Sequence, residues 1–238
     1  NINLAYKIIT FSKFGQKVLQ NSGYTSTLIL EGIDTNIFKP MDKIACRKEL
    51  GLPEDVFFFG MIGANKENPP RKGYQEAIEA FKIFVEKYPN SRMFFHTQQK
   101  SPANFPILEF GRYLGINDKM FFMNPYKETF KSNSYQIAKE INAMDILLHP
   151  SQTEGFGLLP VEAMSCGVPP IVNNCHSQPE MIIDGVTGEI CKTGKPWFRG
   201  LGAYIYPADV DSLAEKMEIL YTKVINEKTR KKMAKRAR

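Results

Sequence analysis

The chain has 238 residues, of which 43% are hydrophobic and 24% are charged, with 31 basic and 25 acidic side chains. This composition is ordinary for a soluble globular protein, and no apolar run approaches the roughly 18 residues of a membrane-spanning helix. The formal net charge of +6 favours anionic partners, whether a phosphorylated small molecule, an anionic membrane or nucleic acid.

The beginning of the chain predicts a strand, a helix and a further strand. Residues 7–10 are typical of a strand, residues 11–21 of a helix that ends near Gly23, and residues 27–30 of a second strand. Because the chain starts with Asn1 rather than Met, we expect it to be a piece of a longer protein.

From residue 56 onward, short β-rich runs alternate with amphipathic segments. Strands are predicted at residues 56–62, 92–96, 120–123, 145–149, 170–172 and 203–206, and helices at residues 72–88, 137–144 and 213–224. Alternating strands and helices favour a mostly parallel sheet with helices on both faces. We therefore predict an α/β, Rossmann-like fold.

A basic pair follows the first of these strands. Residues 59–63 (FGMIG) end the strand, and Arg71, Lys72 and Gly73 open the long helix after a polar loop. Lysine offers a compact positive charge, and arginine can bind two oxygens at once, so the pair is suited to a diphosphate. The alternative is ordinary exposed charge.

The most informative stretch is a glycine-rich turn flanked by two carboxylates, Glu154 and Glu162. It joins the strand that ends at residue 149 to a helix whose first turn contains Pro160. Ligands of open α/β sheets bind at such carboxyl ends of strands. Gly155 and Gly157 let the backbone approach a ligand, and the helix offers free N–H groups to an anion. We place Glu162 in the first helical turn; the alternative is an acidic residue favoured there by the helix dipole.

Three motifs resemble one known family. Residues 153–172 (TEGFGLLPVEAMSCGVPPIV) resemble the E-x7-E region of family-4 retaining glycosyltransferases of the GT-B type. Residues 30–40 (LEGIDTNIFKP) resemble the segment that links the two halves of such enzymes. Lys72 and Gly73 fall on the end of the family's GRxxxxKG motif, but Ala64 stands where its arginine is usual and the loop is longer. On this resemblance, Arg71 supplies the missing charge.

The resemblance implies a domain organisation. Residues 1–35 would be the tail of an amino-terminal acceptor domain or a linker, residues 36–226 a nucleotide-sugar donor domain, and residues 227–238 a basic helix or tail. One compact domain with an extra leading β-α unit is the alternative. The basic end is either a solvated helix face or a surface that touches anionic lipid.

The resemblance also implies roles for individual residues. Glu162 would accept hydrogen bonds from the ribose of a nucleoside-diphosphate sugar, and Glu154 would bind hydroxyls of the transferred sugar. Lys72 and Arg71 would hold the diphosphate. The sugar and distal phosphate would meet backbone N–H groups of Phe156, Gly157, Leu158 and Leu159.

Other groups near the predicted strand ends have less specific interpretations. In such folds the loops at residues 96–98 and 124–126 flank the nucleobase, so Tyr126 either stacks on the base or is a plain surface aromatic. We expect His149 to be a packed, hydrogen-bonded residue, and Ser177 and Glu180 to form a helix capping box.

The spacing of the histidines, aspartates and cysteines bears on metal binding, on cofactors and on the cellular compartment. The histidines are scattered and there is no Asp-x-Asp, so no metal site is visible, and the family resemblance implies metal-independent transfer without a cofactor other than the donor substrate. The four cysteines lie near apolar segments without metal-type spacing: Cys46, Cys166, Cys175 and Cys191. They predict buried free thiols in a reducing compartment, hence a cytoplasmic protein that is either free or peripheral to the inner face of a membrane.

The sequence thus favours the donor-binding half of a retaining glycosyltransferase. Its partners would be a nucleotide sugar and a saccharide, lipid or protein acceptor, not nucleic acid. A non-catalytic nucleotide-sugar-binding or interaction module is the alternative. A dinucleotide-dependent oxidoreductase has little support, because no G-x-G-x-x-G follows the first strand.

Overall fold

The computed structural model describes residues 5–99, 104–124, 133–199 and 203–226, together with residues 233 and 235. In this part of the chain the strands are β1 (Ile9–Thr10), β2 (Thr27–Leu28), β3 (Phe57–Ile62), β4 (Ser91–His96), β5 (Met120–Phe122), β6 (Ile146–His149), β7 (Pro170–Asn173), β8 (Glu189–Cys191), β9 (Trp197–Arg199) and β10 (Ala203–Ile205). The α-helices are α1 (Lys13–Asn21), α2 (Lys43–Leu50), α3 (Tyr74–Lys87), α4 (Ile107–Tyr113), α5 (Ser134–Ala143), α6 (Leu158–Ser165) and α7 (Val210–Val224). Short 3-10 helices cover Asn117–Lys119 and Gln178–Met181.

Six strands form one parallel sheet in the order β5-β4-β3-β6-β7-β8. The chain builds outward from β3 to β4 and β5, and then returns to place β6 on the other side of β3. The direction of winding therefore reverses between β3 and β6. In open α/β sheets, a crevice opens outside the carboxyl ends of the two strands at such a switch point.

Apolar side chains cover both faces of this sheet, which confirms the predicted α/β fold with helices on both sides. Phe58 and Phe59 illustrate the arrangement, because successive side chains of a strand point to opposite faces. Phe59 packs with Phe81 and Met217 of α3 and α7 in one core cluster. Phe58 belongs to a second cluster, with residues of α2, α5 and α6. Strands buried on both faces are expected to show continuous apolar runs rather than alternation.

Three of the predicted strands, β1, β2 and β10, lie outside the main sheet. β2 pairs with β1 in a separate parallel pair, and β10 pairs antiparallel with β9. The β9–β10 hairpin and the edge strand β8 were not predicted.

The four cysteines are free and buried, as expected. No helix in the described ranges has both the length and the apolar character needed to cross a membrane. The division at residues 35 and 226 stays a prediction, and the basic segment 227–238 lies outside the described residues except for Met233 and Lys235.

Candidate active site

The loop that carries the basic pair is locked against the segment that follows β6. Gly73 has a φ of +72°, and a Cβ atom there would lie 2.2 Å from the carbonyl oxygen of Pro150. Only glycine combines this backbone conformation with so close an approach. The Gln152 N–H donates a 2.8 Å hydrogen bond to the carbonyl oxygen of Arg71. The loops after β3 and β6 therefore form one rigid edge at the switch point.

Lys72 and Glu154 meet at this edge. Lys72 Nζ donates to Glu154 Oε1 over 2.6 Å, and the two side chains are 21% and 12% exposed. Burial alone would raise the pKa of Glu154, but the proximity of His149 and the charge of Lys72 outweigh it and hold that pKa well below its usual range. Glu154 is therefore an ionised carboxylate with a lysine as its counterion.

His149 is buried, as predicted, but its Nε2 atom has no hydrogen-bond partner among the described residues. That atom lies 3.4 Å from Glu154 Oε1. Burial lowers the pKa of His149, so the ring is neutral near pH 7. Lys72, and not His149, is thus the cationic partner of Glu154 at neutral pH.

Arg71 is held by protein groups beside the site. Its Nη1 atom donates to the Thr153 carbonyl oxygen over 2.8 Å and lies 3.6 Å from Glu154 Oε1. Its Nε atom lies 3.5 Å from Glu67, which also pairs with Arg199 of β9. The guanidinium therefore braces the turn that carries Glu154, with a carboxylate on each side.

The turn ends at Gly157, whose φ of +100° immediately precedes α6. The helix begins at Leu158, so Pro160 lies in its first turn, as predicted. Glu162 is the fifth helical residue and lies in the second turn; the prediction of a first-turn position was wrong because the helix starts earlier than expected. No side chain among the described residues caps the amino end of α6, so its first N–H groups remain available to a ligand.

The predicted capping box is also wrong. The Ser177 hydroxyl donates instead to the carbonyl oxygens of Glu154 and Phe156, over 3.0 and 3.1 Å. The Glu180 carboxylate accepts hydrogen bonds from the N–H groups of Lys13 and Phe14, over 2.8 and 2.6 Å. Ser177 thus fixes the glycine-rich turn, while Glu180 caps the first helix of the chain.

Most of the predicted site residues line one cavity of about 780 Å³. They are Lys72, Glu154, Gly155, Phe156, Gly157, Leu158, Leu159 and Glu162. Arg71 is not in this lining, and Tyr126 lies outside the described residues. Burial raises the pKa of Glu162 to about 7, and no hydrogen bond or ion pair to its carboxylate occurs within the described part of the chain.

Sequence reasoning missed a second group of lining residues: Phe11, Glu31, Phe38, Ile62, Ala64, Asn133, Ser134 and Ile137. Phe11 and Glu31 come from the leading β-α-β unit, whose spatial position no local pattern reveals. Ser134 and Ile137 belong to α5, and the only signal for them was the amino end of that helix. Within the described ranges, no three His, Cys, Asp or Glu side chains converge as a metal site would require.

Comparison with protein families gives a match over residues 42–197, to the model described as glycosyl transferases group 1. Among curated proteins, D-inositol 3-phosphate glycosyltransferase of Mycobacterium tuberculosis is 30% identical over 162 residues. The match covers 67% of this chain and 31% of that protein. The chain thus spans about a third of the length of the curated relatives it matches.

Solved structures share the fold. The carboxyl-terminal domain of the group 1 family protein LpcC from Francisella tularensis superposes with a TM-score of 0.67 at 24% identity, covering 87% of this chain and 94% of that one. HepE from Anabaena, in complex with UDP and glucose, superposes with a TM-score of 0.73 at 21% identity, covering 99% of this chain and 58% of that one. These likenesses place the six-stranded sheet among GT-B carboxyl-terminal domains.

Proposed function

Because this chain belongs to the glycosyl transferases group 1 family, we propose that it is the donor-binding part of an enzyme that transfers a sugar from a nucleoside-diphosphate sugar to an acceptor. One observation carries the proposal. A single cavity at the sheet's switch point brings together Lys72, Glu154, Glu162 and the uncapped amino end of α6. These groups offer acceptors for hydroxyls beside donors for phosphate, which is what an activated sugar requires.

Glu162 is proposed to bind the ribose. A carboxylate can accept hydrogen bonds from both hydroxyls of a cis-diol. The group is half-buried and has lost part of its hydration, which is why its pKa rises to about 7. Two hydroxyl donors replace the missing water and stabilise the charged form.

Lys72 and the first N–H groups of α6 are proposed to hold the diphosphate. Positive charge fixed at this position stabilises the negative charge that develops as the nucleoside diphosphate leaves. When Lys72 turns to the phosphate, Glu154 needs new donors, and the hydroxyls of the transferred sugar supply them. Since a lysine and a helix end provide the positive charge, we propose transfer without a metal ion and, as in the family that the motifs resemble, with retention of configuration.

The experiment is isothermal calorimetry with UDP-, GDP- and ADP-sugars, followed by an assay for release of the nucleoside diphosphate. We expect one of these donors to bind and to be consumed slowly by transfer or hydrolysis. At 100 times its dissociation constant, such a ligand adds about 2.7 kcal/mol of stability. For a chain of this size we expect a rise in Tm of about 5–10 °C.

Two other results would change the conclusion. Tight donor binding without turnover in the presence of saccharide, lipid and protein acceptors would identify a non-catalytic nucleotide-sugar-binding module. Failure of every nucleotide sugar to bind would contradict the proposal. A cytoplasmic location with peripheral contact to an anionic membrane stays a prediction, which binding of the chain to anionic vesicles would test.

A further inference from the structure

The cavity has a second wall that the donor roles leave unused. Phe11 follows β1, and Glu31 follows β2 by three residues. These two strands are parallel, and the Ile29 N–H donates to the Thr10 carbonyl oxygen over 2.9 Å. Both side chains therefore emerge at the same edge of the small sheet. They line the cavity that Glu154 and Glu162 line from the main sheet.

Direct contacts fix this wall relative to the sugar-binding turn. Glu180 accepts hydrogen bonds from the backbone N–H groups of Lys13 and Phe14, which lie two and three residues after Phe11. The Phe14 ring packs on the His176 ring at 4.9 Å between centroids. The neighbouring Ser177 holds the carbonyl oxygens of the turn itself. The position of Phe11 is thus tied to the turn through one short segment, residues 176–180.

The chemistry of the wall selects a kind of ligand. The Phe11 side chain is 48% exposed and presents an apolar aromatic surface to the cavity. Within the described residues, no hydrogen bond or ion pair engages the carboxylate of Glu31. A carboxylate accepts hydrogen bonds from hydroxyls and repels phosphate groups. An apolar surface beside a few polar groups is the usual make-up of a small-molecule site.

We propose that Phe11 and Glu31 form the acceptor subsite, and that it takes a neutral, hydroxyl-rich acceptor such as a sugar or polyol with no phosphate next to the reacting hydroxyl. This inference rests on the proposed transfer from a nucleotide sugar. The aromatic ring packs on the C–H face of the acceptor ring, and Glu31 accepts a hydrogen bond from an acceptor hydroxyl. The same carboxylate keeps the donor phosphates on the Lys72 side of the cavity.

The test is ligand-observed NMR on the UDP-saturated chain with the methyl glycosides of glucose, galactose, mannose and N-acetylglucosamine, and with glucose 6-phosphate. We expect at least one neutral glycoside to bind, and glucose 6-phosphate to bind at least tenfold more weakly than methyl glucoside. Phe11→Ala and Glu31→Ala should each lower the affinity for the neutral glycoside at least fivefold. Glu31→Gln should reduce the difference in affinity between methyl glucoside and glucose 6-phosphate, because the amide carries no charge to repel the phosphate.

The controls are an exposed phenylalanine and an exposed glutamate outside the cavity lining, in the variants Phe198→Ala and Glu54→Ala. They should bind saccharides like the unmodified chain, and all variants should keep their affinity for UDP. If UDP binds but no glycoside does, the subsite is overturned and the donor site stands. The same holds if UDP binds and the glycosides bind Phe11→Ala and Glu31→Ala as tightly as the unmodified chain. If the chain binds none of the UDP-, GDP- and ADP-sugars and these two variants still lose glycoside binding, the subsite is supported and the proposed function is contradicted.

Discussion

Lys72 is the residue on which the proposed diphosphate site depends most, because it is the sole lysine or arginine among the described residues that line the cavity. Lys72→Ala should reduce affinity for UDP and UDP-sugars about 10- to 100-fold, since a hydrogen bond to a charged group contributes about 1.5–3 kcal/mol. Affinity for uridine should change little, because uridine has no phosphate. Calorimetry with UDP, a UDP-sugar and uridine measures how much affinity each ligand loses.

The matched control for this prediction is Lys66→Ala. Lys66 is an exposed cation on the same loop and is not in the cavity lining. Lys66→Ala should leave the affinities for UDP, UDP-sugars and uridine unchanged. Equal losses for uridine and UDP in the Lys72 variant would remove this lysine from the phosphate site.

Glu162 gives the proposed ribose contact a pH dependence. Its pKa is raised to about 7 by burial, so part of the population is protonated at neutral pH. Ribose hydroxyls donate to the charged form, so binding lowers this pKa and releases a proton. Affinity for UDP-glucose should therefore increase as the pH rises from 6 to 8 and level off above the pKa of the free site. Calorimetry in two buffers of different ionisation enthalpy should detect the released proton.

Glu162→Gln is the control for this effect. The amide does not titrate, so the variant should bind more weakly and with the same affinity at pH 6 and pH 8. Burial lowers the pKa of His149, and the Glu162→Gln variant keeps this ring, so the comparison isolates the contribution of Glu162. A flat profile for the unmodified chain would argue against a ribose at Glu162.

At this scale the sequence predicts well those contacts that are local or that belong to one turn. Glu154, Glu162 and the glycines between them lie within a single strand-turn-helix unit, and they line one cavity as expected. Glu180 shows the limit. The local spacing fits a capping box, but the carboxylate binds N–H groups 167 and 166 positions away.

Gly73 decides whether the basic loop can dock beside the Glu154 turn. Gly73→Ala puts a Cβ atom 2.2 Å from the Pro150 carbonyl oxygen, in addition to the positive φ. We expect a loss of stability well above the roughly 1–2 kcal/mol that an alanine costs in the left-handed region alone. Donor affinity should fall as well, since Lys72 moves with the loop. Chemical denaturation and calorimetry measure the two effects.

Gly51 provides the matched comparison. Its φ is +71°, almost the same, but nothing lies within 4 Å of the position that a Cβ atom would take. Gly51→Ala should therefore lose only the stability that an alanine costs in the left-handed region, and it should keep full affinity for the donor. Equal destabilisation of the two variants would show that the contact with Pro150 is not tight.

Among the elements, long and strongly patterned ones were predictable and short or charged ones were not. The apolar stripe of α3 predicted a helix over residues 72–88, and the structure has it over Tyr74–Lys87. β8 was missed because it is three residues long and carries a buried glutamate, Glu189, that pairs with Lys216 and Lys223. α2 was missed despite two usable signals, an Asp42 side chain that caps its amino end and Gly51 at its carboxyl end.

At the scale of the whole molecule, the contact of Glu180 with α1 joins the leading unit to the main sheet. Glu180→Ala should speed amide hydrogen exchange at Lys13 and Phe14 about 5- to 30-fold, because losing such a cap costs about 1–2 kcal/mol locally. The exchange of core amides in β3 and β6 should not change, since they open only with the main sheet. Glu86→Ala, which replaces an exposed glutamate on α3, is the control. Unchanged exchange at both α1 amides would mean that other contacts hold this helix.

The overall architecture was predictable only to the level of its class. Alternating patterns predict parallel strands between helices, and the six-stranded sheet confirms them. They do not give the order of the strands, because each run of apolar residues is equally compatible with any position in a sheet buried on both sides. α1 is bound by Glu180, which is far away in the sequence, so the wall formed by Phe11 and Glu31 is visible only in the folded chain.

The 2.6 Å contact between Lys72 and Glu154 affects which ligands the pocket accepts. A lone inorganic phosphate would have to draw the lysine away and leave a nearly buried carboxylate with only the more distant Arg71 guanidinium beside it, which is costly. A lone sugar meets the opposite difficulty, because its hydroxyls compete with an ammonium group already in place. Only a molecule that carries phosphate and hydroxyls at the correct separation satisfies both partners together. We therefore expect the pocket to bind a molecule that presents both groups more tightly than a metabolite that presents one of them alone.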